Sequence, residues 1–312
     1  MHGQERQQLI GYVEAVAAAS LWGSSGIFAV NLFRLGVPPE SLALLRPLVG
    51  GAILVAIVSL RNVRALRIDM RGLTVLGLAG GLAVGVFQIA YQLSTDAVGV
   101  PSTVAMLYLA PAVVAAASGP LLDEWPNRTR IALLVVTLTG VWLSVLGADD
   151  VTATFGNAGV VWGVLAGVSY GAYTLFGRFA APRYGSVRTV VYSTLGSVGF
   201  LALVVPLSSG PVVWPGSTTA WALLVVFGLL TIAVAHFLFF DALSRIDASR
   251  ASIATAVEPV VAGVLATLLL SQGLSALGWF GIGLVAIGVA GVGLTRRPGT
   301  TSRPRPHHPA GS

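Results

Sequence analysis

IDASRASIATAVEPVVAGVLATLLLSQ, residues Ile246–Gln272, holds a single ionisable side chain beyond Arg250, and that side chain, Glu258, is followed at once by Pro259. About 20 apolar residues cross a hydrocarbon core of ~30 Å, so a span over 249–270 puts Glu258 near mid-depth. A carboxylate there costs roughly 2.5–3.5 kcal/mol and is usually retained for a pathway, a partner or a proton. Pro259 has no N–H and leaves the carbonyl of Thr255 without its helical partner. Ala251, Ala254, Thr255 and Ala262 share the face of Glu258, and all are small enough for a helix or a ligand to approach closely.

The rest of the chain has the same character. Of its 312 residues 55% are hydrophobic and 10% charged, which describes a polytopic membrane protein rather than a soluble domain. The net charge of +6 comes from arginines in short gaps between apolar runs, a topology signal and not a nucleic-acid surface. There is no cysteine, hence no disulfide or thiolate metal site. The first run follows MHGQERQQ without a small-residue cleavage signature and reads as an uncleaved span.

Ten apolar stretches can be marked, at about 9–30, 41–60, 72–93, 98–120, 130–147, 158–177, 188–208, 218–240, 249–270 and 276–295. With the N-terminus in the cytoplasm, every arginine except Arg46, inside the second stretch, and Arg34 falls on the inner side. Among them are Arg61, Arg64, Arg67 and Arg71 of one loop. The expectation is ten transmembrane helices in the plasma membrane with both termini cytoplasmic. Trp142, Trp162, Trp214, Trp221 and Trp279 fall near the outer ends, where amphipathic rings favour the interface.

Sliding the chain by 148 residues superposes Gly11 on Gly159, Trp22 on Tyr170, Gly23 on Gly171, Phe28 on Phe176, Gly80 on Gly228, Pro111 on Pro259 and Gly140 on Gly288. Each unit holds five stretches, an odd number, so the second copy enters the bilayer from the opposite side and the halves are inverted repeats. The four arginines of 61–71 have no equivalent in 209–219, as inversion requires. The expected architecture is an all-α membrane protein: residues 1–147 and 158–295 form the repeats around a central cavity, and 296–312 form a disordered cytoplasmic tail.

Other polar groups inside apolar stretches are candidates for the cavity lining. Glu14 sits in the first span, as a relay partner or a group reaching the interface. Arg46, in the second span, would receive an anionic group, pair with a Glu, or snorkel outward. Gln88 and His236 occupy matching repeat positions; the histidine could carry protons or pack by hydrogen bonding. Trp22-Gly23 and Tyr170-Gly171 pair an aromatic with a close-approach glycine in each half. Tyr108 stands just before Pro111, the first-half counterpart of Pro259, and matching broken helices in two inverted halves point to a midplane site. Glu258 itself reads as a protonatable or ligand-pairing group, or as a neutral acid hydrogen-bonded between helices. No Walker loop or HExxH motif occurs, so neither an ATP-driven pump nor a metal or cofactor site is expected.

LWGSSGIF at 21–28, YLAPAVVAA at 108–116, Glu124 before TLTGVWL at 137–143, and FFDALSRIDASRASIATAVEPVVAGVLATLLL at 239–270 together resemble the EamA family of the drug/metabolite transporter superfamily. The resemblance covers nearly the whole chain. It implies a basket of helices, alternating access, and export of amino acids, other metabolites or toxic compounds, with proton coupling in some members. Where the family often ends its fourth span of each half in Gly-Glu, the second half here reads Ser271-Gln272. The expected function is a secondary transporter of a small molecule, with protons as a candidate coupling partner. The alternative from another class is a membrane enzyme acting on a lipid-linked substrate, which would need polar groups clustered at one interface; here they are scattered singly at mid-depth.

Overall fold

The computed structural model describes residues 2–110, 112–114, 116–117, 128–147, 158–245, 254–255, 257–271 and 273–294. Pro111, Glu124, Gln272 and the tail 296–312 lie outside that set. Among the described residues the chain is helical, with no β-strand. The first half carries α1 (His2–Gly23), α2 (Ser25–Arg34), α3 (Pro39–Asn62), α4 (Met70–Thr74), α5 (Gly81–Leu107) and α6 (Arg128–Leu146). The second carries α7 (Gly159–Tyr184), α8 (Ser186–Ser209), α9 (Thr218–Gly228), α10 (Ala235–Arg245), α11 (Val257–Leu270) and α12 (Ala276–Leu294). Wide π turns at Val75–Gly80 and Leu229–Val234 join α4 to α5 and α9 to α10.

Among the described residues, six helical segments are long and apolar enough to cross a membrane: Leu9–Arg34, Pro39–Leu66, Met70–Leu107, Gly159–Ala181, Ser186–Ser209 and Thr218–Phe239. Shorter apolar helices cover Ile131–Ser144, Val257–Leu270 and Ala276–Gly288. The expected third stretch and the beginning of the fourth lie in one segment of 38 residues, Met70–Leu107. That run turns back on itself at Gly99, where φ is 79° and ψ 168°, a conformation open essentially to glycine alone. The Oγ atoms of Ser94 and Thr103 lie 2.8 Å apart; in a straight helix nine residues rise by about 13 Å. Pro101 then falls in the first turn after the bend, where its missing N–H is harmless.

The core is apolar, but so is much of the outer surface, and several polar side chains are buried. Leu60, Leu78, Leu207 and Leu268 point outward, whereas Gln92, Ser94, Thr103, Ser193 and Thr231 are fully buried. That is the arrangement of a chain whose solvent is lipid.

The repeat register reappears in the packing. A Cβ on Gly23 would lie 2.8 Å from the Glu258 carbonyl oxygen and 2.9 Å from the Val261 side chain; one on Gly171 would lie 3.1 Å from the Ala110 carbonyl oxygen and 2.8 Å from the Val113 side chain. Ala110 and Val113 are the residues that a shift of 148 carries onto Glu258 and Val261. Likewise Gly140 packs on the Gly281 carbonyl and the Val285 amide, and Gly288 on the Leu133 carbonyl and the Thr137 amide. Each half thus gives the other the same contact it receives.

Candidate functional site

Glu258 and Pro259 stand in the first turn of α11, both buried, with Glu258 only 6% exposed. The sequence singles out the Thr255 carbonyl as the one Pro259 deprives of a partner. The Tyr108 hydroxyl donates to that carbonyl at 3.0 Å, and so ties the end of α5's run to the entry of α11. The same hydroxyl lies beside the Glu258 carboxyl, and Arg46, Tyr91 and Tyr170 complete its electrostatic neighbourhood. One carboxyl thus lies within electrostatic range of one guanidinium and three phenols, brought by α3, the α5 run and α7.

Arg46 turns inward and does not snorkel, being 3% exposed. Its Nε donates to Thr231 Oγ1 at 3.1 Å and its Nη1 to Gln88 Oε1 at 3.3 Å. The guanidinium lies 4.5 Å above the centre of the Phe227 ring, a desolvated cation–π contact worth up to ~2 kcal/mol. No ion pair among the described residues involves Arg46. A guanidinium has five N–H donors, so two protein acceptors leave it with hydrogen-bonding capacity toward an anion.

Thr231, in the π turn of the second half, links these groups. Its hydroxyl accepts from Arg46 and donates to the Phe227 carbonyl at 2.8 Å, while its carbonyl accepts from Trp22 Nε1 at 3.1 Å and from His236 Nδ1 at 2.9 Å. A carbonyl only accepts, so His236 carries its proton on Nδ1 in this contact. Trp22 meets His236 and Phe239 edge-on, at 5.2 and 5.0 Å between centroids. Tyr170 stacks obliquely on Phe87 at 5.6 Å.

The structure therefore gathers Glu258, Pro259, Tyr108, Arg46, Gln88, Trp22, His236 and Tyr170 into one connected region. Glu14 lies apart. Its carboxylate meets Arg245 at 3.2 Å, and Arg245 also holds Asp241 at 2.6 Å and Gln7 at 3.0 Å. Sequence reading missed Tyr91, Phe227 and Thr231. Tyr91 was recoverable, since it stands three residues after Gln88 on the same helical face; an aromatic and a threonine in apolar runs give no such signal. Among the described residues no three His, Asp or Glu side chains converge as metal ligands would.

The profile of the EamA-like transporter family matches residues 9–146 and again 157–294. The chain belongs to that family. The two EamA-like units coincide with the halves that exchange the glycine contacts. Among the similar proteins is an uncharacterized inner membrane transporter, YicL, of Salmonella typhimurium, 24% identical over 92% of this chain and 96% of its own. The uncharacterized transporter YwfM of Bacillus subtilis is 25% identical over 87% and 90%. A crystal structure with 22% sequence identity superposes with a TM-score of 0.67 over 92% of this chain and 96% of that one, a likeness of fold. This EamA-like chain is an integral membrane protein of two repeats, with relatives named as transporters.

Proposed function

We propose that the protein is a secondary transporter that moves a small metabolite by alternating access, most simply as an exporter, through ten spans arranged as two inverted five-helix repeats. The positive-inside arrangement of its arginines supports cytoplasmic termini and a plasma-membrane location. The observation that carries the reading is the buried Arg46–Glu258 centre at the junction of the halves. A guanidinium and a carboxyl held apart in a lipid-excluded interior suit a substrate with an anionic and a cationic group, as an amino acid has, and suit an exchange of substrate amine for proton at Glu258.

The test begins with a thermal-shift screen of amino acids and amphipathic cations on purified protein, since a ligand of the folded form raises its melting point. Flux of the best ligand is then followed in proteoliposomes against pH. Glu258→Gln is expected to lower that flux at least about tenfold, which corresponds to ~1.4 kcal/mol, and to flatten its pH dependence. Unaltered flux with an unaltered pH profile would remove Glu258 from the mechanism.

A further inference from the structure

The two halves make one more contact twice, and the two versions differ in chemistry. In the first version, the Gln7–Ala15 stretch of α1 meets the end of α10. Arg245 Nη1 bridges Glu14 Oε2 at 3.2 Å and Asp241 Oδ2 at 2.6 Å, and its Nε donates to Gln7 Oε1. Behind these charges Tyr12, Ala15, Phe239, Ala242 and Ala254 form a small apolar plug. Ala254 precedes Glu258 by four residues.

A shift of 148 residues carries Gly11, Glu14, Asp241 and Arg245 onto Gly159, Trp162, Leu93 and Ala97. Those residues make the second version, the start of α7 against α5 just before the Gly99 bend. A Cβ on Gly159 would lie 2.5 Å from the Ala97 Cβ, and one on Gly163 would meet Ser94 Oγ and the Met106 side chain. Trp162 packs there on the largest apolar cluster. Charged at one end, the same junction is apolar and glycine-tight at the other.

That difference decides which one opens the more readily. The Arg245, Glu14 and Asp241 side chains are 26%, 17% and 33% exposed. Half-wet ion pairs exchange their partners for water at small net expense, whereas prising apart a dry glycine contact exposes packed surface with no replacement interaction. We propose that Glu14, Arg245 and Asp241 are the latch of a gate between α1 and α10, closed in this structure, whose release admits solvent past Ala254 to Glu258. The place of that gate in a transport cycle rests on the function proposed above; the latch itself does not.

The chain is naturally free of cysteine, so a single Ala254→Cys reports solvent entry without background. The measurement is its rate of modification by a charged methanethiosulfonate in unsealed proteoliposomes. With the latch intact the reaction is expected to be slow. Adding Glu14→Gln and Arg245→Gln should accelerate it about tenfold, and the exchanged pair Glu14→Arg with Arg245→Glu should return it to the slow rate. Equal rates in all three overturn the proposal. So does a fast rate in the exchanged pair, because loosened packing alone would then explain the entry; melting temperatures within about 2 °C of the parent mark the variants as folded. None of these readings needs a substrate, so a protein that moved nothing but labelled as described would lose its proposed function and keep its latch.

Discussion

Glu258 stands out in the sequence because a carboxylate in an apolar span has no inexpensive reason to be there, and the structure surrounds it with Arg46, Tyr91, Tyr108 and Tyr170. Ser271, twelve positions beyond Pro259, stands out in the sequence only as a departure from the family's glycine. It ends α11 with φ at 56°, the left-handed region in which a side chain is penalised by ~1–2 kcal/mol. Ser271→Gly is therefore expected to stabilise the protein by up to about 1 kcal/mol, seen as a raised melting temperature in detergent with unchanged flux; no rise would mean that the serine side chain gives back locally what its backbone loses. The contrast shows what is legible at this scale. A strongly polar side chain or a proline in an apolar run announces itself, as Glu258, Gln88, His236 and Pro259 do. Tyr91, Phe227 and Thr231 resemble the aromatics and hydroxyls that face lipid or satisfy their own helix, and only the fold reveals that Phe227 and Thr231 meet Arg46 and that Tyr91 lies within electrostatic range of Arg46 and Glu258.

At the scale of elements, the stretches and the approximate place of the joint between the third and fourth were legible, and the geometry of the joints was not. The polar run Gln92, Ser94, Thr95 and Asp96 separates the third apolar stretch from the fourth, and the chain does bend beside it, but nothing in composition says that the helices stay joined or which residue makes the turn. The decision lies in one residue's backbone: Gly99 takes φ 79°, ψ 168°, and Ser94 meets Thr103 only because it does. Gly99→Ala is expected to cost about 1–3 kcal/mol, measured as a loss of melting temperature, together with new protease sensitivity between Asp96 and Val100. Full stability in that variant would show that an L residue reaches the same turn. The π turns at Val75–Gly80 and Leu229–Val234 were equally invisible. They fall in matching spans of the halves, six residues apart in the repeat register, and the second one frees the Thr231 carbonyl for Trp22 and His236.

For the whole molecule the repeat found by sliding the sequence is the feature that carried furthest, because it predicts contacts as well as matches. Gly23 and Gly171 occupy one structural position twice, each against a carbonyl and a valine 148 residues apart in the chain. Gly23→Ala and Gly171→Ala should then destabilise alike, by about 1–3 kcal/mol, the usual penalty of forcing a methyl group into a packed contact. Gly283→Ala, where an added Cβ meets nothing within 4 Å, should be neutral or slightly stabilising through helix propensity. Flux should separate the equivalent pair. A methyl on Gly23 pushes the backbone of Glu258 itself, whereas one on Gly171 pushes Ala110, a residue with no polar side chain to misplace. After correction for folded protein, Gly23→Ala is expected to lose several-fold more flux than Gly171→Ala, because misplacement by about 1 Å is enough to disturb a bound geometry. Matched melting points with matched flux would mean that the two halves contribute equally to the pathway and that Glu258 holds no special place in it; unequal melting points would break the two-fold relation from which the latch between α1 and α10 was inferred.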